Sequence, residues 1–109
     1  MQEKSKVETY IGFAVRSNKY RTGMNSVESL KRANLVIVCT TASENTKKQA
    51  FKVAKKFGAR LYQTARPLAE LVYKENTKVM AITDNSLAKA IIENADGELT
   101  IINQENIYG

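Results

Sequence analysis

Basic side chains that could bind phosphate are concentrated in the first half of the sequence. The 109-residue chain has 17 Lys and Arg against 11 Asp and Glu, which gives a net charge of +6. Residues 16–60 hold eleven cations and two acids, or +9, whereas residues 84–109 hold one lysine and five acids, or −4. A basic region of this kind is typical of a surface that binds nucleic-acid phosphates. The alternative is that these lysines bind no partner and only form the solvated outer face of a helix.

Histidine, the side chain that most often acts as a general base in catalysis, is missing. The sequence has no histidine and one cysteine, Cys39. Without histidine there is no Ser-His or Cys-His nucleophile and no zinc site built on Cys and His. No G-x-G-x-x-G or G-x-x-x-x-G-K-[ST] phosphate loop occurs. We therefore expect a non-enzymatic protein with no metal, no cofactor and no small-molecule substrate.

A turn is expected at Gly23, because glycine readily supplies a positive φ. Thr22 or Asn25 is expected to cap a helix after this turn, because Asn25 and Glu28 have capping-box spacing. The residues alone favour a structural role for both Gly23 and Asn25.

Apolar periodicity places these residues on alternating helices and strands. The strongest unit is an unbroken apolar run at 35–40, in which Cys39 is expected to be buried, and a helix at 43–57 with lysines on its outer face. Thr41 and Glu44 have capping-box spacing at the start of that helix, and Gly58 is expected to end it. Further helices are predicted at 7–17, from the Gly23 turn to about 33, at 67–73 and at 85–94, with strands at 59–63 and 79–82 and short β segments at 20–22 and 99–102.

The alternation of helices and strands predicts a three-layer α/β/α sandwich with a mixed four-stranded sheet. We expect one domain over residues 1–109, with 103–109 as a loosely held tail. No apolar run approaches the roughly 20 residues of a membrane helix, and a lone cysteine cannot form an internal disulfide. These features predict a cytoplasmic protein that does not enter a membrane.

Several segments, taken in order, resemble a known family. They are Ile11–Arg16 with Lys19, Thr22–Val27, Leu30–Arg32, Leu35–Val38, Ala42–Lys48 and Ala81–Asp84. Together they are similar to the kink-turn-binding ribosomal protein superfamily, which includes archaeal ribosomal protein L-seven-Ae and eukaryotic ribosomal protein L-thirty. The Ala42–Lys48 segment most resembles the bacterial YlxQ-like branch, and the likeness covers about residues 7–94.

The resemblance implies a compact α/β/α sandwich that binds structured RNA. In this family, a Gly-Asn-Glu turn opens the second helix, a lysine follows one helical turn later, and an apolar loop precedes the last core strand. Such a turn offers backbone N–H groups to phosphate and an asparagine to the base edges of bent RNA. Gly23 and Asn25 match the turn, but Ser26 replaces the glutamate and Ser29 the lysine. The loop corresponds to the polar segment Lys74–Thr77, and Val72 replaces the glycine that often precedes it. Kink-turn selectivity is therefore expected to be weaker than is usual for the family.

Ten residues are predicted to contact RNA, which would be ribosomal RNA or another structured RNA. Cations flank the turn or begin the long basic helix, and the others belong to the turn and the helix that it opens. The ten are Arg21, Gly23, Met24, Asn25, Ser26, Ser29, Lys31, Arg32, Lys47 and Lys48. The alternative is a protein-interaction domain that keeps the fold and has lost RNA affinity.

Overall fold

The computed structural model describes residues 5–72, 74–95 and 97–102. Helices and strands alternate along the whole of this part of the chain. The helices are α1 (Lys6–Arg16), α2 (Met24–Glu28), α3 (Glu44–Phe57), α4 (Leu68–Val72) and α5 (Asn85–Glu93). The strands are β1 (Tyr20–Thr22), β2 (Leu35–Val38), β3 (Arg60–Thr64), β4 (Val79–Ile82) and β5 (Leu99–Ile102).

The five strands form one mixed sheet in the order β1-β4-β2-β3-β5. Strands β2 and β3 run parallel, and the other three neighbouring pairs are antiparallel. Tyr20, Leu35 and Arg60 therefore lie at one end of the sheet, while Thr22, Val38 and Val79 lie toward the opposite end. These two ends of the sheet carry different loops, and the candidate interface is divided between them.

Strands β2 and β4 form the centre of the hydrophobic core. All four residues of each strand are buried, so neither face of the strand reaches water. Helix α1 packs against α4 and α5, whereas α2 packs against α3, β1 and β4. The helix α3 buries Ala50, Val53 and Ala54 against this core and leaves its lysine-rich side outward. The expected amphipathic character of α3 is confirmed.

The prediction of a four-stranded sheet is wrong in its strand count, because five strands pair in the described residues. Both short β segments join the sheet at its edges. Strand β1 pairs with β4, and β5 pairs with β3 in the register Leu61 to Ile102. Edge pairing depends on partners distant in sequence, so local pattern alone could not give the count. The expected tail at 103–109 lies outside the described residues.

Two predicted helix caps are wrong. Ser43, not Thr41, caps α3, because its Oγ accepts the N–H of Thr46 at 3.1 Å. Gly23 occupies the cap position of α2, and Asn25 is inside that helix. Helix α2 also ends at Glu28 rather than near residue 33. Gly58 ends α3 in the left-handed conformation, as predicted.

Arg66 joins three separate parts of the fold through two ion pairs. Its Nη2 lies 2.9 Å from Oε1 of Glu8 on α1, and its Nε lies 3.7 Å from Oε2 of Glu98 just before β5. The Glu8 side chain is only 10% exposed, whereas that of Arg66 is 37% exposed. Hydrogen bonding to Glu8 raises the pKa of Arg66, so the guanidinium stays charged. This contact anchors α1 to the segment between β3 and α4.

Replacing Arg66 by Met should destabilise the protein, because the Glu8 carboxylate would stay buried without this cation. Breaking a fully buried pair costs about 3–5 kcal/mol, but water screens the exposed part of Arg66. We therefore expect a loss of about 1–2 kcal/mol in the free energy of unfolding, measured by urea denaturation. Arg60→Met, at the exposed start of β3, is the matched control and should change stability little. Equal losses in the two variants would contradict a structural role for the Arg66 ion pairs.

Candidate nucleic-acid interface

The Gly23 turn connects β1 to α2 and is exposed. Gly23 has φ 88° and ψ 139°, a backbone conformation that side-chain-bearing residues rarely adopt. Its N–H donates to the carbonyl of Val79 at 3.0 Å, and its carbonyl accepts the N–H of Val27 at 2.9 Å. No side chain caps the start of α2. Helix-start N–H groups of this kind can meet an acceptor from outside the protein.

Three of the predicted residues begin α2 directly after the turn. Asn25 and Ser26 are exposed, and Met24 is half-buried against the core. Arg21 precedes the turn on β1 and is also exposed. Its Nη1 donates to the carbonyl of Tyr20 at 2.7 Å, so the guanidinium lies along its own strand. The structure therefore brings Arg21, Gly23, Asn25 and Ser26 onto one exposed corner.

The loop between α4 and β4 lies beside the Gly23 turn. Lys74 donates through Nζ to Oγ1 of Thr22 at 3.2 Å. Lys78 donates through Nζ to Oγ1 of Thr41 at 2.8 Å, at the start of the segment that leads into α3. Thr77 is 6% exposed, and its hydroxyl donates to the carbonyl of Lys74 at 2.8 Å, which closes the loop. Sequence reasoning left Lys74 and Lys78 out of the site.

Lys47 and Lys48 lie in the first turns of α3, which starts at the same end of the sheet as the Gly23 turn. Both are half-buried. Positive charge near a helix N-terminus opposes the helix dipole. The acidic Glu44 in the first turn favours the dipole instead. The two lysines therefore add positive charge at the same end of the sheet as the Gly23 turn. The helix dipole does not favour this charge.

The other three predicted residues lie at the opposite end of α2. Ser29 ends the helix, and its Oγ donates to the carbonyl of Ser26 at 2.8 Å. Lys31 and Arg32 follow it in the exposed segment that leads to the start of β2. The expectation that Lys31 and Arg32 flank the Gly23 turn is therefore wrong, because the turn lies beside the last residues of β2 and the two cations precede its first residue. We call the corner around Gly23 the turn end, and the region around Lys31 and Arg32 the far end.

Cys39 is a structural residue at the end of β2. It is 1% exposed, and its Sγ accepts the N–H groups of Leu68 at 3.3 Å and Thr41 at 3.4 Å. Burial raises the pKa of the Cys39 thiol, but the Thr41 hydroxyl, these N–H groups and the charge of Lys78 outweigh it and lower the pKa. The thiol thus holds the β2–α3 segment in place. Within the described ranges, no group of three or more Cys, Asp or Glu side chains could hold a metal ion.

Comparisons with known proteins bear on the fold. The sequence matches no protein-family model and no curated protein. Its structure is similar to that of a solved protein from Bacillus halodurans C, described as a protein with unknown function. The TM-score is 0.77 at 19% sequence identity, over 85% of this chain and 99% of the other. At this identity the likeness shows a shared mixed α/β fold.

Gly23→Ala should destabilise the turn, because the substitution places a Cβ at φ 88°. No atom lies within 4 Å of that Cβ, so the effect would come from backbone strain and not from a clash. We expect a loss of about 1–2 kcal/mol in the free energy of unfolding by urea denaturation.

Gly12→Ala is the matched control inside α1. Its added Cβ would meet only the flexible tip of Arg16, at 3.4 Å. Because alanine favours a helix interior, this variant should gain about 0.5–1 kcal/mol. A destabilisation of equal size in both variants would argue against a special backbone requirement at Gly23.

Proposed function

We propose that this protein binds structured RNA without catalysing a reaction, as a member of the kink-turn-binding ribosomal protein superfamily in its bacterial YlxQ-like branch. Its RNA would be ribosomal RNA or an RNA of similar complexity, and its place of action the cytoplasm. In the described part of the chain, no helix combines the length and apolar character needed to cross a bilayer.

The observation that carries the proposal is the arrangement at the turn end. An exposed glycine opens a helix that no side chain caps, and the backbone of Val79 holds the turn against the loop 74–78. Lys74 and Lys78 lie in that loop, and Arg21 precedes the turn. Backbone donors beside exposed cations suit a bent phosphate backbone, because the donors fix its position and the cations neutralise it.

The arrangement of the helices supports the sandwich architecture expected from the sequence. Helices α2 and α3 contact each other, and α1 contacts α4 and α5. We propose that these two groups cover opposite faces of the sheet as a three-layer α/β/α sandwich. This arrangement would place the turn, α2 and the basic side of α3 in one layer. The ion pairs of Arg66 with Glu8 and Glu98 would then stabilise the opposite side of the sheet.

Three features of α2 and the loop beside its start argue for modest kink-turn selectivity. Ser26 and Ser29 are neutral and short, so neither supplies the charge that the family places there. The Ser29 hydroxyl is already bonded to the carbonyl of Ser26. The loop 74–78 presents exposed Lys74 and Lys78 and buries Thr77, so it offers phosphate contacts and little apolar surface for a base. Asn25 remains the one exposed side chain at the turn that matches the family's base-reading positions.

A protein-interaction role is the second candidate, and two features of α1 favour it. A surface groove runs between α1 and α4, lined in part by Val15, Leu71 and Val72. Phe13 on α1 is 44% exposed, with the Arg16 guanidinium 5.0 Å from its ring centre. An exposed aromatic residue with a nearby arginine is typical of protein-binding surfaces.

The proposed function is tested by titrating a standard kink-turn RNA and a straight RNA duplex with the natural chain. We expect the chain to bind the kink-turn RNA, with only modest preference over the duplex. Ser26→Glu with Ser29→Lys should tighten kink-turn binding by about a hundredfold or more, because each restored charge-assisted contact is worth on the order of 1.5–3 kcal/mol.

Binding of the straight duplex is the internal control, since the double variant leaves the net charge unchanged and should affect it little. Two results would contradict the proposal in different ways. If the natural chain bound neither RNA, the RNA-binding function itself would be wrong. If it bound the kink-turn tightly and selectively and the double change brought no improvement, the interpretation of Ser26 and Ser29 would be wrong.

A further inference from the structure

We propose that the far end of α2 forms a second phosphate-binding surface, which holds a duplex stem of the same RNA that meets the turn end. The inference rests on the proposed RNA-binding function and adds a separate site to it. The surface comprises five cations, which we call the far-end cluster: Lys31, Arg32, Lys55, Lys56 and Arg60. Of these, Lys55, Lys56 and Arg60 were not among the residues predicted from the sequence to contact RNA.

Four elements bring the far-end cluster together. The Nζ of Lys56, in the last turn of α3, donates to the carbonyl of Glu28 at the end of α2, at 3.4 Å. Arg60 opens β3 and pairs in register with Leu35, which opens β2. Lys31 and Arg32 occupy the short segment between α2 and Leu35. The end of α2, the end of α3 and the starts of two strands therefore meet at one end of the sheet.

Within the described residues, no ion pair neutralises the charge of this cluster. All five side chains are exposed, and none forms an ion pair with a carboxylate in the described residues. Glu28 is the only acid between residues 16 and 43, and Glu44 lies at the opposite end of α3. The helix dipole favours Lys55 and Lys56 in the last turn, but Lys31, Arg32 and Arg60 lie outside helices. Crowding five like charges is unfavourable until an anion binds.

The form of this surface suits a duplex backbone better than a small anion or a base. The five cations are spread over an exposed surface. Lys55 and Lys56 lie in the last turn of α3, Arg60 begins β3, and the other two lie between α2 and β2. Long, mobile cations neutralise phosphates without reading sequence. The length of α2 and β2 places the cluster on the order of 10–15 Å from the Gly23 turn. RNA gripped at the turn would reach it only with a stem that continues along α2.

The test uses the full chain and a kink-turn RNA with long duplex stems, and compares two double charge reversals. Lys55→Glu with Arg60→Glu alters the far end while keeping Lys56 and its bond to Glu28. Lys6→Glu with Lys89→Glu is the matched control, because it makes the same charge change at exposed positions of α1 and α5. Lys55→Gln with Arg60→Gln removes the two charges without reversing them, and thermal unfolding verifies that each variant is folded.

We expect the far-end reversal to weaken RNA binding by about tenfold or more at 0.1 M salt, and to lower the slope of log affinity against log salt by about 1.5. The Gln variant should lose part of this affinity, and the control should bind like the natural chain. Cutting back the RNA stems should weaken binding by the natural chain and leave the far-end variant nearly unaffected.

Equal binding by the far-end variant and the control, with RNA still bound, would overturn the second surface while leaving the proposed function intact. Failure of the natural chain to bind RNA would overturn both. Competition by polyglutamate as effective as that by RNA would show a surface for acidic protein chains, and would overturn the assignment to an RNA stem.

Discussion

Complete burial of β2 and β4 is the constraint on which the rest of the molecule depends. Each residue of these strands is excluded from water, so helices or edge strands must cover both faces and both sides. The surfaces left for binding are the two ends of the sheet and the outer sides of the helices. Burial of the centre therefore explains why the basic residues collect at the turn end and the far end, with α2 between them.

The two sides of the molecule use charge differently. Both ion pairs found in the described ranges involve Arg66, which pairs with Glu8 and Glu98 and so fastens α1 and the start of β5 to the segment between β3 and α4. On the side of α2 and α3, the cations instead contact carbonyl and hydroxyl oxygens, as Lys56, Lys74 and Lys78 do. No carboxylate within the described residues forms an ion pair with these three lysines. The contrast separates a structural use of arginine from the basic surface that we propose for RNA.

Local pattern was sufficient for the elements that bury an unbroken apolar run or an amphipathic face. The strand at Leu35–Val38, the strand at Val79–Ile82 and helix α3 were predicted in type and nearly in extent. Caps were harder, because several polar residues compete at each helix start. Capping-box spacing predicts Thr41 as the cap of α3, but spacing does not reveal that the Thr41 hydroxyl contacts Cys39 and Lys78.

The site was less predictable than the fold, because it depends on the pairing of distant strands. Gly23 and Asn25 could be identified from the sequence, since a glycine followed by polar residues marks a turn. Pairing of β1 with β4 brings Lys74 to Thr22, and pairing of β2 with β3 places Arg60 opposite Leu35. Nothing in the local sequence indicates either contact.

The central claim is that RNA contacts the side of the protein that carries α2. Amide chemical shifts of the labelled protein, followed by NMR during titration with a kink-turn RNA, test it most directly. The account predicts shifts at Gly23–Ser26 and 74–79, with none along α5. Shifts confined to α1 and α5 would contradict it.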